Sequence, residues 1–271
     1  MTQALEMPGN HAEQALDTCL HVEHITQKYA TSSGHVHALD DVSFSVPQGK
    51  FVGLVGPSGC GKSSLLLMMA GLLAPTSGKI RVGTHEINQP NPEEIGVIFQ
   101  ESSLLPWKTS LENVEFPLKL RGVPAEERKS KSIAMLNLVG LKDFVDRYPH
   151  ELSGGMKQRV AIARGFCQDS RVLLMDEPFA SLDEQTRMTL GDELLGIWSA
   201  NQKTVVFVTH SLTEAVYLCD EVFVMGARPG RILKRLTIDL PRPRTYKMMA
   251  TEKFGQLRNE IWELIRTAKE S

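Results

Sequence analysis

Apolar positions along the chain follow two periods, and the change from one to the other sketches the fold. Residues 20–29 alternate apolar and polar, and residues 36–46 supply a second strand after the turn Thr31-Ser32-Ser33-Gly34, which predicts a β-hairpin. Short, mostly apolar runs at 51–55, 79–82, 95–99, 172–177, 204–209 and 221–225 predict further strands, the fourth ending in two carboxylates. Helical patterns at 184–199 and 212–218 separate the later ones, and strands separated by helices imply a parallel sheet. From 102 to 164 the character turns helical. Ser110 is expected to cap a helix reaching about residue 120, and Pro124 to open another in its first turn, with Ile133, Leu136 and Val139 at helical spacing. This stretch reads as a helical insertion in an α/β chain. At the end, 246–269 carries Phe254, Leu257, Ile261, Leu264, Ile265 and Ala268 on one side, an amphipathic helix expected to pack on its own domain. Residues 1–18 read as a disordered or loosely helical tail.

The sharpest chemical signal lies after the 51–55 strand. Gly56-Pro57-Ser58-Gly59-Cys60-Gly61-Lys62-Ser63 fits G-x-x-x-x-G-K-[ST], the loop whose backbone N–H groups cradle nucleotide phosphates. Lys62 is expected to reach the β- and γ-phosphates and the Ser63 hydroxyl to hold Mg²⁺. The helix predicted from 63 to 73 adds its positive N-terminus beneath the phosphates. Cys60, beside Lys62 and a helix N-terminus, is expected to favour the thiolate. Phosphoryl transfer also needs a metal carboxylate and a group that activates water. Asp176 ends an apolar strand and supplies the first, Glu177 beside it is the candidate base, His210 ends the next strand near the γ-phosphate, and Gln100 is placed to reach Mg²⁺ and the water. A second glycine-rich helix start, Leu152-Ser153-Gly154-Gly155-Met156, has Ser153 as a candidate N-cap and offers a second anion site. One ATP needs one cradle, so this turn is expected to complete the site of another copy of the chain.

Composition narrows the setting. The chain has 271 residues, 42% hydrophobic and 23% charged, with a net charge of −2, so no bulk basic surface points to nucleic acid. Its four cysteines are scattered without a C-x-x-C pair, which suits a reducing compartment and not a disulfide framework or a zinc site. The polar start, with Pro8, Gly9 and Asn10, has no apolar core of a secretory signal, and no run approaches the roughly 20 apolar residues of a membrane span. His35 and His37 alternate on the second strand; solvated strand residues account for them better than a metal pair.

Taken together these motifs resemble the ATP-binding cassette ATPases of ABC transporters, over about residues 20–240. The resemblance implies the following assignments. Tyr29 matches the aromatic that stacks on adenine, residues 56–63 Walker A, Gln100 the Q-loop, 152–156 the LSGGQ signature, and 173–176 with Glu177 Walker B and its catalytic glutamate. Ser181-Leu182-Asp183 matches the D-loop and His210 the switch histidine. The expected ATP-binding set is Tyr29, Gly56, Pro57, Ser58, Gly59, Cys60, Gly61, Lys62, Ser63 and Ser64, with Ser153, Gly154 and Gly155 acting in trans and Ser63, Gln100 and Asp176 on the metal. The implied fold is a RecA-like P-loop NTPase core with an antiparallel β subdomain and an inserted α-helical subdomain. Its divisions are a tail at 1–18, the ATPase domain at 19–245 with the helical subdomain at about 102–164, and a C-terminal helix at 246–271. Narrower likeness to ATPases of nitrate, sulfonate, taurine and bicarbonate importers rests on residues 100–107, 175–179, 228–232 and 240–244. The implied function is ATP-driven uptake of a small anion or sulfonate. Its implied partners are a second copy, a transmembrane permease at the cytoplasmic face of the inner membrane, and indirectly a substrate-binding protein. A soluble family member acting on nucleic acid or ribosomes is the alternative, but such chains carry tandem cassettes, zinc modules or coiled coils. A cassette that binds ATP without hydrolysis is a further alternative, against which Glu177 and His210 stand. Met156 departs from the usual glutamine of the signature, and Ala180-Ser181 from the subfamily's Gly-Ala.

Overall fold

The computed structural model describes residues 18–31, 34–227 and 229–270; the tail expected at 1–18 lies outside them except for its last residue. Strands β1 (Thr18–Thr31) and β2 (Gly34–Pro47) pair antiparallel, and β3 (Phe51–Val55) leads through the glycine-rich loop into α1 (Lys62–Met69). The helix stops short of residue 73 because the Gly71 and Leu72 N–H groups turn back to the Met68 and Leu67 carbonyls, which closes it in a Schellman turn. Next come β4 (Ser77–Val82), the two-residue β5 (His85–Glu86) and β6 (Ile95–Ile98). Helices α2 (Ser110–Leu120), α3 (Ala125–Leu138) and α4 (Gly154–Cys167) then pack on one another. Strand β7 (Val172–Asp176), α5 (Glu184–Asn201), β8 (Thr204–Val208), α6 (Leu212–Leu218), β9 (Glu221–Met225), β10 (Ile232–Thr237) and α7 (Glu252–Glu270) complete the order.

Two helix starts differ from expectation. Thr109, not Ser110, is the cap of α2: its hydroxyl accepts from the Glu112 N–H while the Glu112 carboxylate accepts from the Thr109 N–H, a reciprocal box spelled T-x-x-E. Pro124 sits one residue before α3, as its N-cap. The 246–269 segment divides into a 3₁₀ turn (Tyr246–Ala250) and α7, with Thr251 between them. Phe254 and Ile261 are fully buried against the domain, with Leu257, Leu264 and Ile265 half-buried beside them.

Among the described residues the strands form two sheets, one ordered β2-β1-β4-β5 and one ordered β10-β9-β3-β8-β7-β6. In the larger sheet β9, β3, β8, β7 and β6 run parallel and β10 closes the edge antiparallel. Strand β3 therefore lies between β9 and β8, flanked on both edges, and all five of its residues are buried. Alternation along each strand feeds two cores. Phe51, Val55, Leu173, Met175, Val205 and Phe207 face α4, α5 and α6, while Val52, Leu54, Val172, Leu174, Val206 and Val208 face α1 and the smaller sheet. Because β3, β6, β7 and β8 run parallel, residues 56, 99–100, 176–177 and 209–210 all emerge at one edge, the carboxyl ends of the strands, where open α/β sheets collect ligand-binding groups.

Candidate nucleotide site

The glycine-rich loop at 56–63 is held by packing on both sides. Gly61 sits at φ +96° as the residue before α1, and a Cβ there would lie 2.5 Å from the Leu39 side chain of β2. From the other side Gly230 presses against the Cys60 carbonyl so closely that a Cβ would come within 2.0 Å of it. The same residue exchanges backbone hydrogen bonds with Ala38 and Asp40. Lys62 is buried, and its ammonium donates to the Gly56 and Pro57 carbonyls at 3.0 and 3.1 Å. Ser58 and Gly59 stand exposed at the loop's mouth.

Burial corrects the expectation for Cys60. Its side chain is fully enclosed, and desolvation raises the thiol above its ordinary range, outweighing the attraction of Lys62. The thiol form is favoured, and neighbouring charge counts for less than the lost water.

The Ser63 hydroxyl donates to Asp176 Oδ1 at 3.3 Å, which joins α1 to the end of β7. Half-burial raises the Asp176 carboxyl pKa, Glu177 adds to this, and Ser63 and Lys62 oppose it. These are hard oxygen donors, fit for Mg²⁺ completed by water and phosphate oxygens. Glu177 takes φ +44°, rare for a side chain of this size, and its N–H donates to the Val208 carbonyl. That turn sets its Oε2 2.8 Å from His210 Nδ1.

Other candidates fall at varying distances from this cluster. Gln100 is exposed, and no hydrogen bond joins it to Ser63 or Asp176. The half-buried Tyr29 sends its hydroxyl to Ser64 Oγ at 3.2 Å. Ser153 caps α4 by accepting from the Met156 N–H at 3.3 Å. Position 156 thus contributes a backbone donor to the cap, and its thioether packs half-buried against the core. Ser153 and Gly154 are exposed, and among the described residues no hydrogen bond or ion pair ties them to residues 56–64. Gly155 instead lies beside Thr186, which bonds through both N–H and hydroxyl to Asp183, the cap of α5. His35 is exposed and His37 lies 3.4 Å from Asp40.

Two buried groups were not singled out in the sequence, one beside His210 and one at the opposite end of the strands, where Asp220 pairs with Phe51. Glu214, buried on α6, accepts from Thr209 Oγ1, and Arg244, also buried, donates to the Val216, Tyr217, Cys219, Ile238 and Leu240 carbonyls. A glutamate in the first turn of the helix after His210 was the available signal for Glu214. For Arg244 there was none beyond its place in the 240–244 stretch.

Comparison with known proteins bears on all of this. The ABC transporter family profile matches residues 39–180. A taurine import ATP-binding protein of Rhizobium johnstonii is 42% identical over 93% of this chain and 98% of its own length. A nitrate import ATP-binding protein of Synechocystis is 43% identical over 91% and 95%. Among solved structures, a dimeric ATP-binding cassette in a post-hydrolysis state with ADP and phosphate superposes with a TM-score of 0.73 at 29% identity, over 82% of this chain and all of that one.

Proposed function

We propose, from the premise that this chain belongs to the ATP-binding proteins of ABC transporters and is an ATPase, that it powers import of a small anion or sulfonate through a membrane permease. One observation carries the reading: a phosphate loop, a Ser63–Asp176 pair and a Glu177–His210 pair converge at one edge of one sheet. Residues 56–63 bind the phosphates, and Lys62 exchanges its own loop's carbonyls for the β- and γ-phosphate oxygens. Ser63 and Asp176 would hold Mg²⁺, which would neutralise phosphate charge, with Gln100 completing the metal site. Glu177 takes a proton from the attacking water, and His210 holds the Glu177 carboxylate and faces the γ-phosphate. Tyr29 stacks on adenine, and Ser64 follows it by its hydrogen bond.

Two copies close head to tail, with Ser153, Gly154 and Gly155 of one over the phosphates held by the other and residues 181–183 between the sites. Exposure of the signature turn and the dimeric cassette neighbour support this arrangement. No helix among the described residues is long and apolar enough to cross a membrane, so the translocation path belongs to a partner. The loop after Gln100 suits that contact. Asn113, fully buried, fastens it through Leu105, Lys108 and Thr109, and Arg164 through Ser102 and Ser103, yet Trp107 is left 70% exposed. The permease places this chain at the cytoplasmic face, and a substrate-binding protein delivers solute from the other side. The relatives named above support a taurine- or nitrate-like solute and lend no support to a role on nucleic acid. The test is Ser103→Cys in the assembled transporter, which is expected to crosslink to the permease, together with ATPase activity stimulated by binding protein loaded with taurine or nitrate. Absence of any adduct, or equal activity with loaded and empty binding protein, defeats the proposal.

A further inference from the structure

The His210 side chain is more than half exposed and, among the described residues, hydrogen-bonds to Glu177 alone, so its position depends on the backbone turn that carries it. That turn is anchored from below. Thr209, 1% exposed, donates its hydroxyl to Glu214 Oε2 at 2.5 Å and with the same oxygen accepts from the Ser211 N–H at 2.9 Å. Ser211 in turn caps α6 by accepting from the Glu214 N–H. The other carboxylate oxygen of Glu214 lies 3.4 Å from Arg187 Nε on α5, and Arg187 Nη2 donates to the Leu182 carbonyl at 3.0 Å. Leu182 leads back to Glu177 through two tight turns, Leu182 N–H to Phe179 carbonyl and Ala180 N–H to Glu177 carbonyl. The contacts therefore close a ring: Glu177, Leu182, Arg187, Glu214, Thr209, His210 and again Glu177.

We propose that Glu214 and Arg187 are positioning residues, a pair of buried Glu214 and partly buried Arg187 that fixes the separation between the turn bearing His210 and the 181–183 loop and thereby keeps His210 in register with Glu177. Neither touches nucleotide. Their ion pair spans two helices whose N-terminal loops carry the two groups that must meet. The carboxylate has one oxygen for each loop, so a change at either loop is felt at the other. The inference rests on the catalytic reading of Glu177 and His210 given above.

Glu214→Gln keeps the size and an acceptor for Thr209 but removes the charge facing Arg187. Displacement of a reacting group by about 1 Å can cost up to about a hundredfold in rate, so kcat is expected to fall roughly tenfold or more. KM for ATP and nucleotide affinity stay unchanged, because residues 56–63 are not in the ring. Arg187→Gln is expected to do the same, and the double variant to be no slower than the worse single one. Thr209→Val keeps the shape without the hydroxyl and reads the same effect should Glu214→Gln fail to fold. The deciding measurement is single-turnover hydrolysis in a His210→Ala background, where Glu214→Gln should cost nothing further. A wild-type kcat in Glu214→Gln, or an equal loss with and without His210, overturns the positioning role while leaving the catalytic reading intact. A wild-type rate in His210→Ala alone removes the catalytic reading of His210, and the positioning role falls with it.

Discussion

Replacing Glu177 by glutamine separates proton acceptance from everything else this residue does. The amide has the same shape, so the turn at φ +44° and the hydrogen bond to Val208 are unaffected. It retains one oxygen for His210 Nδ1, now 2.8 Å from the carboxylate. The contact that loses its charge has one partner more than half exposed, so stability changes by no more than about 1 kcal/mol. Nucleotide affinity survives, because the phosphate contacts come from a different loop. Hydrolysis loses the worth of a positioned base, roughly two to four orders of magnitude, or about 3–5 kcal/mol at 1.36 kcal/mol per decade. The ATP-bound state then accumulates, and a ligand bound only by the closed pair stabilises that pair by mass action. Light scattering during size-exclusion chromatography should show a monomer without nucleotide, a dimer with MgATP and a monomer with ADP. A variant that hydrolyses at the wild-type rate, or remains monomeric at saturating MgATP, refutes the assignment of Glu177 as base and weakens the two-fold sandwich.

Cys60, enclosed and held as the thiol, should resist maleimide at neutral pH with or without MgATP and label only after denaturation; rapid labelling of the folded protein would contradict its burial. Arg244→Met leaves five carbonyls of the α6 end and the 238–240 segment without their shared donor, which should cost roughly 3–5 kcal/mol and lower Tm by about 10 °C in a thermal melt. Lysine at this position, with one nitrogen in place of a planar fork, should recover little of the loss, and an unchanged Tm in the methionine variant would show that the carbonyls find water instead.

The parts of the fold legible in the sequence were those where one residue type forces one geometry. The glycine loop announced both its strand and its helix, and the apolar runs at 51–55, 212–218 and 221–225 gave elements with those bounds in the structure. Strand β10 escaped notice because its residues, Ile232-Leu233-Lys234-Arg235-Leu236-Thr237, place charges on the exposed edge of a sheet and blur the alternation. The cap of α2 was misplaced by one residue although its T-x-x-E spelling was present. Cys60 shows a different limit. The sequence gives a neighbour's charge but not the depth of burial, and depth decided the outcome. The link from Thr209 through Glu214 and Arg187 to Leu182 was hidden for the same reason, since it joins residues on separate helices that only the tertiary fold brings together.

The wedge of Gly230 beneath the Cys60 carbonyl bears on how the protein is made. The glycine-rich loop at 56–63 is translated early, but the residue that props it from behind, and strands β8 and β9 that flank β3, come well over a hundred residues later. A chain emerging from the ribosome therefore carries its nucleotide motif as an unpaired apolar strand and an unsupported loop for most of its synthesis. Competence to bind ATP arrives abruptly within the last quarter of the polypeptide, once residues 204–230 have been made. Until then residues 51–55 are an exposed edge in need of shelter, and a nascent chain stalled before Gly230 is a candidate for a chaperone rather than for a nucleotide.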